Sequence, residues 1–222
     1  MQNKEIKIKD LFDCQNEFLK PFFNQHEYPW EIIAEIKSFI KEFTNRNHQG
    51  FTEISQGVFV QQNVKIHSSA VIEAPAIICE GTEIRPSAYL RGNVFIGKNC
   101  VIGNSTELKE SVLLDKVQVP HYNYVGNSIL GNFSHMGAGS ICSNLKSDGK
   151  PVVIHAEKDY ETGLRKVGAI LGDHADIGCG CVLNPGTIIG QNTSVYPLTM
   201  VRGVIPKNMI VKSMDNIIER KI

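Results

Sequence analysis

The chain has 222 residues, 42% of them apolar, enough to bury a core and to form one domain with an extension or two small ones. Its 23 Lys and Arg balance 23 Asp and Glu, so no bulk charge favours nucleic acid or an anionic membrane, and either would need a local patch. The opening MQNKEIKIKDLFDC is too polar for a signal peptide, and no apolar run is long enough to span a bilayer. Six cysteines (Cys14, Cys79, Cys100, Cys142, Cys179, Cys181) read as buried free thiols, because the one close pair, Cys179 and Cys181, lacks a second pair or a histidine cluster. These features predict a soluble, reduced, cytoplasmic protein.

Residues 1–55 read as a helical cap or linker. In PWEIIAEIKSFIKEFTNRN, the residues Trp30, Ile33, Ile36, Phe39, Ile40 and Phe43 recur at spacings of three and four, with Pro29 at the start. That is an amphipathic helix, expected to cover the open first coil of the repeat that begins near Val60.

From Val60 a period of six takes over. Val60, Ile66, Ile72, Ile78, Ile84, Leu90, Ile96, Ile102, Leu108 and Leu114 open ten consecutive hexads. Their partners four residues on are Val64, Ala70, Ala76, Thr82, Ala88, Val94, Cys100, Thr106, Val112 and Gln118, of which only Gln118 is neither small nor β-branched. The beat resumes at Tyr124, Leu130 and Met136, and again from Leu171 to Val201. Helices repeat by 3.6 residues and strands by two, so neither explains it. Short parallel strands joined by tight corners do, with three hexads making a triangular coil of about eighteen residues. The fold class is therefore all-β, a left-handed parallel β-helix over residues 56–206. A charged excursion at about 145–168 interrupts it, and residues 207–222 form a C-terminal tail that closes the far end.

Counting by eighteen finds neighbours in space. Arg91 and Lys109 fall at one corner on successive coils, about 5 Å apart along the axis. Glu107 is close enough to make this a salt-bridge ladder; an anion between the two cations is the other reading. The beat slips by two residues within VPHYNYVGNS (119–128), which brings His121 and Tyr124 beside that pair. An imidazole titrates near neutral pH, as a general base requires.

The stretch PHYNYVGNSILGNFSHMGAGSICSNLKSDGK resembles the acetyltransferase segment of the bifunctional sugar-1-phosphate nucleotidyltransferases, and the likeness extends over about residues 84–206. YPWEII resembles the linker that precedes the β-helix in archaeal members. The resemblance implies trimers with active sites between neighbouring β-helices, acetyl-CoA as co-substrate, and no metal in acetyl transfer. It implies His121 as catalytic base and Asn144 as the residue orienting the amine. Arg91 and Lys109 become phosphate and sugar cations, with Glu107, Tyr124, His135 and Lys150 also on the substrate. Ala138, Leu145, Cys179 and Pro197 fall where that family lines acetyl-CoA. Two departures stand out: the family commonly has asparagine at His135, and its bacterial members have tyrosine at Leu145.

No Gly-rich nucleotide-binding half precedes the repeat, so the expected activity is acetyl transfer alone. The expected reaction is N-acetylation of an amino-sugar 1-phosphate, glucosamine or galactosamine 1-phosphate, in nucleotide-sugar or cell-envelope precursor synthesis. The alternative is a non-catalytic sugar-phosphate or sugar-nucleotide binding subunit of a separate nucleotidyltransferase. A zinc hydrolyase of the β-helix carbonic anhydrase type needs two histidines five apart. His26, His48, His67, His121, His135, His155 and His174 include no such pair.

Overall fold

A computed structural model describes residues 6–46 and 50–221; His48 and the first five residues of the opening segment lie outside it. Three sheets of nine, nine and seven strands wrap one axis as a left-handed parallel β-helix. The first face carries Val58–Val60, Ala76–Ile78, Val94–Ile96, Ser111–Leu113 and their successors to Val204–Ile205. The second runs from Lys65–Ile66 through Gln118–His121 to Met209–Ser213, and the third from Val71–Glu73 through Glu107–Lys109 and Tyr124–Gly126 to Met200–Val201. Ile78, Ile84, Leu90, Ile96, Ile102 and Leu108 point to the axis and are almost wholly buried, as the hexads predict.

The slip differs from the expected one in place and size. Arg91 and Val94 are joined by Gly92 and Asn93, whereas Lys109 and Ser111 are joined by Glu110 alone, and Gly126 and Ser128 by Asn127 alone. Each of these two corners between the third and first faces loses one residue. Lys109 therefore lies beside Gly126, seventeen residues on, not beside position 125. The first loss comes before residue 119, so Leu113, Val117, Val119 and Val125 fill the axial core. Val112 and Leu114 turn outward into a second cluster, Gln118 is exposed, and Tyr124 faces out half-buried.

The helices do not cover the first coil. Besides α1 (Ile8–Leu11) and α2 (Leu19–Phe23), α3 (Pro29–Thr44) begins where Glu31 accepts the Tyr28 N–H at 2.7 Å. Its residues Ile32, Ile36, Ile40 and Phe43 share a core with Ile77, Phe95, Val112 and Ile129, the outward side chains of the first face. That face is buried on both sides, so burial of its own apolar surface sets the helices along the flank. The end of the first coil stays open, with inward Ile66 exposed and Val60, Val64, Ala70 and Ile72 only partly buried.

The excursion is ordered. Val153–His155 pairs antiparallel with Asp159–Glu161, and Val152, Ile154 and Val167 enter the same flank core. In the tail, Met209–Ser213 continues the second face before Asn216–Glu219 folds back on it, and Val211 joins the axial core with Met209 and Ile217 packed against it. Among the described residues no helix is long and apolar enough to cross a membrane. All six thiols are free; four are buried, Cys14 is half-buried and Cys179 is exposed rather than buried.

Candidate active site

The corner between the second and third faces stacks equivalent residues from successive coils. Tyr122 N–H donates to the Asn104 carbonyl at 2.8 Å, Gly139 N–H to His121 at 3.0 Å, Gly180 N–H to Ala138 at 2.8 Å and Leu198 N–H to Cys179 at 2.9 Å. His121, Ala138, Cys179 and Pro197 thus occupy one position on four coils, about 4.8 Å apart per step. Each is followed by a residue in the left-handed region (Tyr122, Gly139, Gly180, Leu198), which turns the chain onto the third face. Asn123 anchors the histidine's coil from inside, its Nδ2 donating to the Gly137 carbonyl at 2.8 Å while its Oδ1 accepts the His121 N–H at 3.1 Å. The His121 side chain is exposed, and Asn104, its register partner below, has a buried Oδ1 without a partner among the described residues.

The third face carries the second group. Arg91 donates to Glu107 at 2.7 Å, and Glu107 lies in register with Tyr124. Both members of the ion pair are about a third exposed, so the pair contributes little stability and remains open to a ligand. Lys109 turns the other way, its Nζ 3.7 Å from Glu110. The cations therefore do not face one another, and His121 is not at their corner: it lies across the third face, round the edge from Tyr124. Burial, followed by the Glu107 charge, pushes the Tyr124 phenol above its ordinary pKa and keeps it protonated.

Asn144, just before the excursion, lies against this face. Its Nδ2 donates to Asn127 Oδ1 at 2.7 Å and reaches Tyr124 Oη at 3.3 Å. Gly126 is what allows this, because a Cβ there would sit 2.6 Å from the Tyr124 hydroxyl and 2.7 Å from the Asn144 Nδ2. Asn127 in turn donates to Glu110 at 2.8 Å, and Lys37 of α3 approaches that carboxylate at 3.3 Å.

Three expected site residues lie apart from this face within the chain. His135 stands on the second face, 2.9 Å from Asp176, in a groove shared with Gly137, Cys179, Tyr196 and Pro197. It stands beside the column expected to line the cofactor. Leu145, exposed and paired with Lys166, lies in the excursion away from the Ala138–Cys179–Pro197 column. Lys150 is exposed on the same excursion, its N–H bound by Asp148 at 3.0 Å. Counting hexads does not reach Glu110 and Asn127. Gln118 is their only sequence signal: a long polar residue at an inward position marks a frame already shifted upstream.

Residues 72–159 match a family model described as the GMPPB C-terminal domain. The Bifunctional protein GlmU of Methanococcus aeolicus is 32% identical over 218 residues, which span 90% of this chain and 49% of that protein. A bifunctional sugar-1-phosphate nucleotidylyltransferase/acetyltransferase of Sulfurisphaera tokodaii is 34% identical over 186 residues, 78% of this chain and 44% of that protein. Among solved structures, PerB from Caulobacter crescentus in complex with CoA and GDP-perosamine aligns over 71% of this chain and 57% of its own, with a TM-score of 0.44 and 18% identity. The resemblance carried by the stretch at 120–150 thus holds over nearly the whole chain: the protein is a relative of the bifunctional sugar-1-phosphate nucleotidylyltransferase/acetyltransferases and spans about half their length.

Proposed function

We propose that this chain is an acetyl-CoA-dependent N-acetyltransferase whose acceptor is an amino-sugar 1-phosphate, glucosamine or galactosamine 1-phosphate. The observation that carries the reading is the stacking of His121, Ala138, Cys179 and Pro197 in one column, beside a face bearing Arg91, Glu107, Tyr124 and Asn144. A cofactor arm laid along the column would bring its thioester to the histidine, and a sugar phosphate on the face would bring its amine to the same edge.

In this reading Arg91 takes the phosphate, Lys109 stays against Glu110 at the neighbouring corner, and Tyr124 and Asn144 fix the sugar. His121 removes the amine proton as the nitrogen attacks the thioester carbonyl. The C–N bond forms, the C–S bond breaks, and the CoA thiolate leaves with a proton returned through the histidine. Leu145 and Lys150 stand on the far side of the third face from the column. They complete the site only where a second copy sets its excursion against this one's column, which favours the homotrimer implied by the family resemblance. In that arrangement the Leu145 N–H is the donor for the oxyanion.

The test is release of free thiol from acetyl-CoA with each sugar phosphate in turn. His121→Ala should lower kcat by about 10²- to 10⁴-fold without raising KM in proportion. An unchanged rate at saturating substrate would remove His121 from the mechanism. Tight sugar-phosphate binding with no binding of acetyl-CoA would replace the enzyme with a binding subunit of a separate nucleotidyltransferase.

A further inference from the structure

Glu110 and Asn127 each form a shortened corner, and each does so at positive φ, +48° and +49°, where glycine would be the default. Their side chains are engaged. One Glu110 oxygen faces the ammonium groups of Lys37 and Lys109 at 3.3 and 3.7 Å, and the other accepts from Asn127 at 2.8 Å. Burial works to raise the Glu110 pKa, but the Asn127 hydrogen bond and the two lysines outweigh it and hold it below the usual range.

An ionised carboxylate only accepts, so the group Asn127 turns to Glu110 must be its NH2. Its oxygen then faces Asn144 and takes that residue's Nδ2 at 2.7 Å. The same Nδ2 reaches the Tyr124 hydroxyl at 3.3 Å, which uses both of its hydrogens. What Asn144 has left for a ligand is an oxygen, an acceptor. Each link fixes the polarity of the next.

We propose that Glu110 and Asn127 are positioning residues that lock the Asn144 amide with its oxygen free, so that the site takes an acceptor sugar bearing a donor, the amine, and discriminates against one lacking it. Lys37 makes α3 part of this arrangement. The inference rests on the proposed contact between Asn144 and the sugar amine.

The relay has a swap test. Asn127→Asp sets two carboxylates against each other and parts residue 127 from Glu110, displacing the acceptor on which Asn144 rests. Glu110→Gln removes the anion that fixes the Asn127 amide. The double variant Glu110→Gln/Asn127→Asp exchanges carboxylate and amide in place: the glutamine donates to the aspartate, which still accepts from Asn144. Each single variant should lower kcat with glucosamine 1-phosphate by about tenfold or more. The double should return to within about threefold of wild type, with KM for acetyl-CoA unchanged throughout. Calorimetry should show glucosamine 1-phosphate preferred over glucose 1-phosphate in wild type and double, and the preference lost in Glu110→Gln, where residue 127 is free to turn its oxygen to the glutamine and its NH2 to Asn144. A purely structural role would lower the melting temperature without that pattern.

Rates and preferences equal in all four proteins would overturn the relay, as would a double no better than the worse single. If wild type transfers no acetyl group, the proposed activity falls and NMR of the Asn144 side-chain amide decides the relay. Slow proton exchange in wild type and double but fast exchange in the singles supports it; equal exchange in all four refutes it.

Discussion

Gly126 has an ordinary backbone conformation, so its role is to leave space. A methyl there would part the Tyr124 hydroxyl from Asn144, the two groups it would meet at 2.6 and 2.7 Å. Gly126→Ala should therefore lower kcat by about tenfold or more, while the melting temperature moves by only a few degrees. A full loss of folding would show that the space serves packing instead. Glu110 gives a pH prediction. Its folded pKa lies below the ordinary 4.5, so its contribution to stability is full above that value and is lost as pH falls through the lower, folded one. Melting temperatures of wild type and Glu110→Gln should be furthest apart near pH 6–7 and converge below about pH 4. A gap that stays constant to pH 3 would contradict the clamp. Single residues are legible in the sequence where the hexad frame is right. Arg91 and Glu107 fall on one face as counted, but the count turns Tyr124 inward and sets His121 at the wrong edge because it takes two one-residue losses for one two-residue slip. Inward positions tolerate many aliphatic residues, so Leu113-Leu114 fits two frames almost equally, and Gln118 alone marks the shift. Only burial of a whole coil decides between them.

At the scale of elements, the amphipathic helix is plain in the 3.6 period, and its destination is not. The signal lies on the first face, where every third hexad carries an apolar residue outward: Ile77, Phe95, Val112, Ile129, Ile170 and Ile188. A solenoid face that meets water does not do that, and the hexad count, which attends only to inward positions, passes over it. Phe95 is the sharpest case. It is wholly buried, with ring centroids 6.2 Å from both Phe39 and Phe43 of α3. Phe95→Ala should cost about 3–5 kcal/mol in urea denaturation. Because the loss is confined to the layer outside the coil, proteolysis should cut residues 12–50 first and leave the β-helix intact. Cleavage beginning within the coils would show that helices and solenoid form one cooperative unit. The excursion is legible as an ordered insertion only from its apolar core, PVVIH, whose Val152 and Ile154 join the same flank.

For the molecule as a whole, the third face changes character along the axis. On the N-terminal side it presents Tyr89, Arg91, Glu107 and Tyr124; toward the C-terminus Ile141, Val182 and Met200 stand in register, with Ile141 and Met200 37% and 60% exposed. An apolar stripe continuous with a polar cluster suits a surface that another copy of the chain covers, since burying it recovers hydrophobic free energy that a lone chain forgoes. The position of the excursion argues the same way, because in the proposed site Leu145 and Lys150 approach the His121 column from a neighbouring copy. Light scattering should therefore give a mass near three times the 24.7 kDa of one chain. Met200→Glu places a charge in the middle of the stripe and should shift the mass toward one chain at micromolar concentration. Acetyl transfer should fall with it, although Met200 is remote from His121, and rise again as protein concentration drives reassembly. A monomeric wild type with full activity would break this link between assembly and catalysis. So would a dissociated Met200→Glu variant that keeps its rate, since either would mean that one chain holds the whole site.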